Sequence, residues 1–218
     1  QGYYAAAVWG TNTKPYIGVR PVNHSGEKYY LGAWRHTDAI DSWSWSGMEG
    51  KSAEIVIYAV GYEAELFVNK VSQGRKTLHQ NKAEYSVRYQ PGTVEAISYD
   101  VDGKIIGRTE LLSAEGDTKL SLLPEKEKVP AIKGDIVYIN ISLTGTNDEI
   151  KVLAKEDVFV EMQGPAELIG LGSSDPFPLI PYIDDHCETF HGRAQAIVRL
   201  TGEVGEIRVN GKTQTGLL

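Results

Sequence analysis

The sequence is short of several things, and each shortage removes a class of explanation. It has a single cysteine, Cys187, so no intramolecular disulfide can form and the small disulfide-stapled scaffolds are excluded. That leaves the compartment open, because many exported bacterial proteins also lack disulfides. No apolar run approaches the ~20 residues of a membrane-spanning helix, so membrane insertion is not expected. Positive charge is in deficit, with 22 Lys and Arg against 29 Asp and Glu and a formal net charge of −7, which argues against nucleic acid or an anionic membrane as the main partner. Helical periodicity is missing too: no segment supports a helix longer than about ten residues. The chain opens on Gln1 with neither an initiator methionine nor a signal peptide. The expectation is a processed product or an excised fragment.

What is present is β-rich and aromatic. The 218 residues suit one large or two ordinary domains, and 41% hydrophobic with 23% charged residues is the balance of a soluble globular protein. Residues 1 to 38 carry Tyr3, Tyr4, Trp9, Tyr16, Tyr29 and Tyr30 among turn formers. They read as an irregular connecting arm, in which Ala5-Ala6-Ala7 could end a short helix. From Lys51 onward short alternating runs follow one another. Leu66 and Val68 face one way and Glu65 and Phe67 the other. Asp102-Gly103 reads as a type I′ hairpin turn. The strand density up to residue 115 is that of an immunoglobulin-like sandwich. Ser113 to Asp117 is small and polar and reads as a hinge. A second strand set, strongest over Asp135 to Leu143, fills residues 116 to 218.

Three of the four tryptophans fall between Trp34 and Gly47. In an extended strand Trp43 and Trp45 would share a face, with Ser42 and Ser44 on the other. An exposed pair could stack on sugar rings. A covered pair is the commoner arrangement and is favoured, because an indole contributes most when its apolar body is buried. Trp34, Arg35, Asp38, Trp43 and Trp45 together are therefore expected to form a domain interface.

Other constellations point to little chemistry. Asp184, Asp185, His186, Cys187, Glu188 and His191 are dense in potential metal ligands but have no zinc-site spacing, and neighbours on an extended chain point to opposite faces. A polar loop returning to a strand is the favoured reading, and no metal is expected. Asp100-Val101-Asp102-Gly103 begins like a calcium loop whose remaining ligands are missing. Glu63 and Glu65 alternate on one strand face without a cleft. No nucleophile elbow, phosphate-binding loop or Ser/His/Asp order occurs.

One resemblance organises these observations. Lys14 to Val22 and Trp34 to Trp45, followed in order by Val56-Ile57-Tyr58, Glu65 to Lys70, Tyr89 to Ala96 and Tyr99 to Lys104, resemble the segment after the catalytic barrel in glycoside hydrolase family 2, the β-galactosidase family. Gln163 to Pro176 and Phe190 to Ala194 resemble that family's C-terminal sandwich. Where the family has Gly after the strand asparagine, this chain has Lys70. The resemblance implies an all-β fold: a connecting arm over residues 1–38 and two consecutive immunoglobulin-like β-sandwich domains, 39–115 and 116–218. It also implies a parent enzyme that hydrolyses β-glycosides with retention, using two glutamates on a barrel. Such a barrel needs ~250 residues of alternating strand and helix, which this chain does not contain. No catalytic residue is carried over and no cofactor is implied. The implied partners are the catalytic barrel of the parent chain and its carbohydrate substrate, and the chain alone is expected to be inactive. A carbohydrate-binding module pair acting through Trp43 and Trp45, and an adhesive surface domain, are the alternatives.

Overall fold

Strands begin earlier than the period-two pattern indicates. In the computed structural model, which describes residues 2–28, 30, 32 and 37–216, a short helix α1 (Gly2–Trp9) precedes strand β1 (Tyr16–Val19). β1 pairs antiparallel with β2 (Ser52–Tyr58), Ile17 opposite Ile57 and Val19 opposite Ile55. Part of the segment read as an irregular arm is therefore an edge strand. It is only four residues long and contains Gly18, so its identity comes from its partner rather than from its own propensity. Gly18 sits where an added Cβ would lie 3.1 Å from Val56 and 3.2 Å from Ala39, so a larger residue would push the strand away. The Ala5 to Ala7 run lies within α1, whose Ala7 carbonyl accepts the Asn81 side-chain amide at 3.3 Å.

The chain divides into two compact units, Gln1–Ser113 and Ala114–Leu218. In the first, β2 is flanked by β1 and by β5 (Lys82–Arg88). The second sheet has the order β4 (Val71–Thr77), β3 (Glu63–Val68), β6 (Thr93–Tyr99), β7 (Ile105–Leu112). Alternation buries Ala64, Leu66 and Val68 of β3, and likewise Ala53, Ile55 and Ile57 of β2. Each fully buried Leu or Ile contributes about 1.5–3 kcal/mol by leaving water.

The hairpins exchange the roles expected of them. The β3–β4 connection places Asn69 and Lys70 both at positive φ (49° and 66°), the signature of a type I′ turn. At Asp100 to Lys104 only Gly103 has positive φ, and the Asp100 carboxylate accepts the backbone N–H groups of Asp102 and Lys104. That connection is not type I′. The aspartate side chain organises a wider loop, which the Asp-Gly dipeptide alone does not reveal.

The second unit repeats the layered plan. β8 (Lys119–Pro124), β9 (Ile136–Thr144), β11 (Ala166–Gly172) and β13 (Arg193–Leu200) form a sheet of order β11-β13-β9-β8. β10 (Asp157–Gln163), β12 (His186–Glu188) and β14 (Arg208–Thr213) form another, of order β12-β10-β14. Ile139, Ile141 and Leu143 of β9 meet Val158 and Val160 of β10 and Ala194, Ala196 and Val198 of β13 in one core. Among the described residues the fold is all-β, two sandwiches with one short α-helix. Among the described residues no helix is long and apolar enough to cross a membrane.

Candidate functional site

The stretch around Trp43 and Trp45 lies at the heart of the first unit's core. Both indoles have 0% relative exposure. The stretch is not a strand, and the serines do not face the other way: Ser42 and Ser44 are buried as well. The cause is local. The Ser42 hydroxyl accepts the Ser44 N–H at 3.2 Å and the Ser42 carbonyl accepts the Trp45 indole N–H at 3.2 Å, so the chain coils back on itself instead of extending. The Trp43 indole N–H donates to the Gln90 carbonyl at 3.0 Å. Both of these indole N–H groups thus have a partner, and neither ring has a face open for a sugar to stack on. These hydrogen-bond partners all lie between Ser42 and Ser113, in the same unit.

Of the other residues expected at an interface, Trp34 and Arg35 lie outside the described residues. Asp38 pairs with Arg20, whose Nε donates to its carboxylate at 2.8 Å, while the same guanidinium reaches Glu54. These hydrogen bonds hold the Arg20 guanidinium firmly protonated, the Asp38 bond foremost. Asp38 thereby ties the segment before the tryptophans to the end of β1 and to β2.

A second feature has no signature in the sequence pattern. Tyr3 stacks on Tyr16 at 4.1 Å, Tyr16 stacks on Tyr58 at 5.9 Å, and Tyr4 meets Tyr58 edge-on at 5.3 Å. Burial in this ladder pushes the Tyr16 and Tyr58 phenols above their ordinary range. One side of α1 therefore rests on β1 and β2, yet the helix also leaves apolar side chains in water: Val8 is 47% and Trp9 77% exposed.

The remaining clusters are structural. Glu63 and Glu65 share the Arg75 guanidinium, at 3.7 and 3.3 Å, and Glu65 also accepts from Ser72 at 2.6 Å and from Tyr99 at 3.0 Å. The Arg75 guanidinium lies 3.7 Å over the Tyr99 ring. Led by the Ser72 bond, these partners hold Glu65 below its ordinary value, the opposite of what a general acid near neutral pH needs. In the acidic segment near residue 186, Cys187 points into the core while His186 stacks on Phe159 at 5.0 Å. Among the described residues no three His, Cys, Asp or Glu side chains are grouped to hold a metal ion.

Comparison with known proteins accords with this picture. Residues 120–216 match the glycoside hydrolase family 2 C-terminal domain 5, and residues 50–107 match a domain of unknown function, DUF4982. No curated protein matches the sequence. Among solved structures, a glycosyl hydrolase family 2 member from Bacteroides cellulosilyticus is 26% identical with a TM-score of 0.84, over 97% of this chain and 28% of its own. A β-glycosidase from Bacteroides vulgatus is 25% identical with a TM-score of 0.75, over 97% of this chain and 24% of its own. A β-glucuronidase of the same family shares the fold at 17% identity and a TM-score of 0.75. The chain thus spans about a quarter of the length of the enzymes it matches. With a family 2 domain over its second unit and family 2 structures matching nearly all of it, the chain is similar throughout to the C-terminal β-sandwich region of glycoside hydrolase family 2.

Proposed function

We propose that the chain is the non-catalytic C-terminal part of a longer family 2 glycosidase, in which it packs against the catalytic barrel and shapes the rim of the substrate cleft. The parent hydrolyses β-glycosides with retention. β-Galactosides are the first substrates to try, on the sequence resemblance, and β-glucuronides the second, because a matched relative carries that name. The observation that carries the reading is the outer face of α1. Val8 and Trp9 stand in water on a helix already seated on an aromatic ladder through Tyr3 and Tyr4. An exposed indole flanked by apolar side chains marks a surface that a partner covers.

Two measurements test it. The isolated chain should show no turnover of nitrophenyl β-galactoside or β-glucuronide. In the full-length parent, Trp9→Ser should lower the midpoint of thermal inactivation while leaving the isolated chain's own unfolding midpoint unchanged. Turnover by the isolated chain, or a parent indifferent to Trp9→Ser, sinks the proposal. The sugar-module alternative draws no support from Trp43 and Trp45, whose rings are covered.

A further inference from the structure

We infer that the outer face of the β11-β13-β9-β8 sheet is a binding tray for a neutral oligosaccharide. The registers of the three strand pairs place Gly172, Gln195, Asn140 and Leu123 in one row across the sheet. The adjacent row holds Arg193, Ser142 and Ser121. All lie on the face opposite the core, since Ala194, Ile141 and Leu122 between them turn inward. Three inter-strand steps at ~4.8 Å make the first row about 14 Å long, the scale of a short oligomer rather than of one sugar ring. The depression over these rows has a volume of about 880 Å³, within the span of small-molecule sites.

One wall of the tray is an aromatic ring held in place by glycine. The loop from Ser173 to Asp185 brings Tyr182 back over β11, where its carbonyl accepts the Leu171 N–H at 2.7 Å. Its ring then lies on Gly172 so closely that a Cβ there would come within 2.2 Å of the ring. The absence of a side chain at 172 is what lets the ring lie down. A tyrosine standing at the edge of a polar floor offers an apolar surface for the C–H face of a pyranose and a hydroxyl for its rim.

The floor supplies the polar half of the recognition. The Gln195 amide donates to the Asn140 side-chain carbonyl at 3.0 Å, which fixes both amide planes. That bond uses one donor and one acceptor and leaves the Asn140 amide N–H groups and the Gln195 carbonyl free to pair with something else. Among the described residues, the hydroxyls of Ser121, Ser142 and Tyr182 and the Arg193 guanidinium have no protein partner. Donors and acceptors therefore lie side by side over two adjacent rows, which suits vicinal sugar hydroxyls, each both donor and acceptor. Aside from Tyr182, the ionisable residues lining the depression are Arg193 and Asp148. With one of each sign, the tray favours a ligand without net charge over a phosphate or a polyanion.

The inference does not rest on the family reading, and its test involves neither barrel nor hydrolysis. The isotope-labelled 218-residue chain is titrated with cellohexaose, xylohexaose, mannohexaose and linear galactan oligomers while backbone amide resonances are followed. At least one should bind in the millimolar range or tighter, with shifts confined to β8, β9, β11, β13 and the Tyr182 loop. Tyr182→Ala should weaken that binding about tenfold or more, and Gln195→Ala likewise. Gly172→Val, which keeps the tyrosine but evicts its ring, should do the same. No response to any of the four at about 10 mM, where even weak sites fill, overturns the proposal. So do shifts mapping elsewhere, or affinity unchanged in the variants that keep the native spectrum.

Discussion

The Tyr89 hydroxyl accepts the backbone N–H of Trp45 at 3.0 Å and donates to the carbonyl of Trp43 at 3.3 Å, while the Tyr89 ring meets the Trp43 indole edge-on at 4.9 Å. A single phenol just after β5 thus closes the coil that holds both buried indoles. Tyr89→Phe keeps the ring but strands a buried N–H. The expected cost is about 1–3 kcal/mol, the penalty for an unsatisfied buried group. Trp43→Ala removes the indole itself and should cost about 3–5 kcal/mol. Urea unfolding of the isolated chain followed by tryptophan fluorescence separates the two. A Tyr89→Phe chain as stable as the parent sequence would show that the hydroxyl plays no part in holding the coil.

Acid stability should carry the mark of Glu65. Its bonds to Ser72, Tyr99 and Arg75 hold it below its ordinary 4.5 in the folded chain. An acid with a depressed folded value adds stability that is fully present above the unfolded value and is lost as pH falls through the folded one. The contribution should therefore be constant near neutrality and decline below about pH 4.5. Glu65→Gln should lower stability at pH 7 and narrow the gap to the native chain as pH approaches 3. Equal destabilisation at both pH values would contradict the assignment.

The strands were readable and the tertiary couplings were not, for a physical reason in each case. Glu63 to Val68 announces itself because burial on one face imposes a period of two. β1 does not, because four residues around Gly18 carry too little pattern, and its partner lies more than thirty residues away. Trp43 and Trp45 are both buried, but a strand pattern does not reveal that the Ser42 hydroxyl and carbonyl coil the segment. The tray is the extreme case: no local signal links Gly172, Gln195, Asn140 and Leu123. They become neighbours only through the register of three strand pairs, which the inward-facing residues set.

Cys187 should report on the folding of the second unit. Its thiol is 4% exposed, and burial pushes it up to about 11. Because the thiolate is the reactive form, a buried neutral thiol should resist modification at pH 8 until the unit opens. Labelling by an aromatic disulfide reagent is expected to be slow in buffer and complete in denaturant, with a midpoint that follows the second unit. Core destabilisation by Leu143→Ala should accelerate labelling, whereas Tyr89→Phe, in the first unit, should affect it much less. Rapid stoichiometric labelling in buffer would mean that the β10–β12 edge opens easily.

Lys70 offers a test in the stabilising direction. With φ at 66° beside Asn69 at 49°, it occupies the second position of a type I′ turn, where a residue with a Cβ pays about 1–2 kcal/mol and glycine pays nothing sterically. The Lys70 side chain is exposed, so its removal forfeits no packing. Glycine loosens the unfolded chain by about 0.5–1 kcal/mol, which offsets part of the gain. Lys70→Gly should therefore raise unfolding free energy by up to about 1 kcal/mol, with the largest effect in the first unit. Asn69 should behave oppositely, although it too is left-handed. Its side chain donates to the Pro91 carbonyl at 3.0 Å and accepts the Thr93 N–H at 2.8 Å, so Asn69→Gly relieves backbone strain but breaks the tie between two hairpins. Lys70→Gly stabilising and Asn69→Gly destabilising is the expected pair of results in urea. The reverse order would mean that the turn's strain, rather than its side-chain ties, governs this end of the sheet.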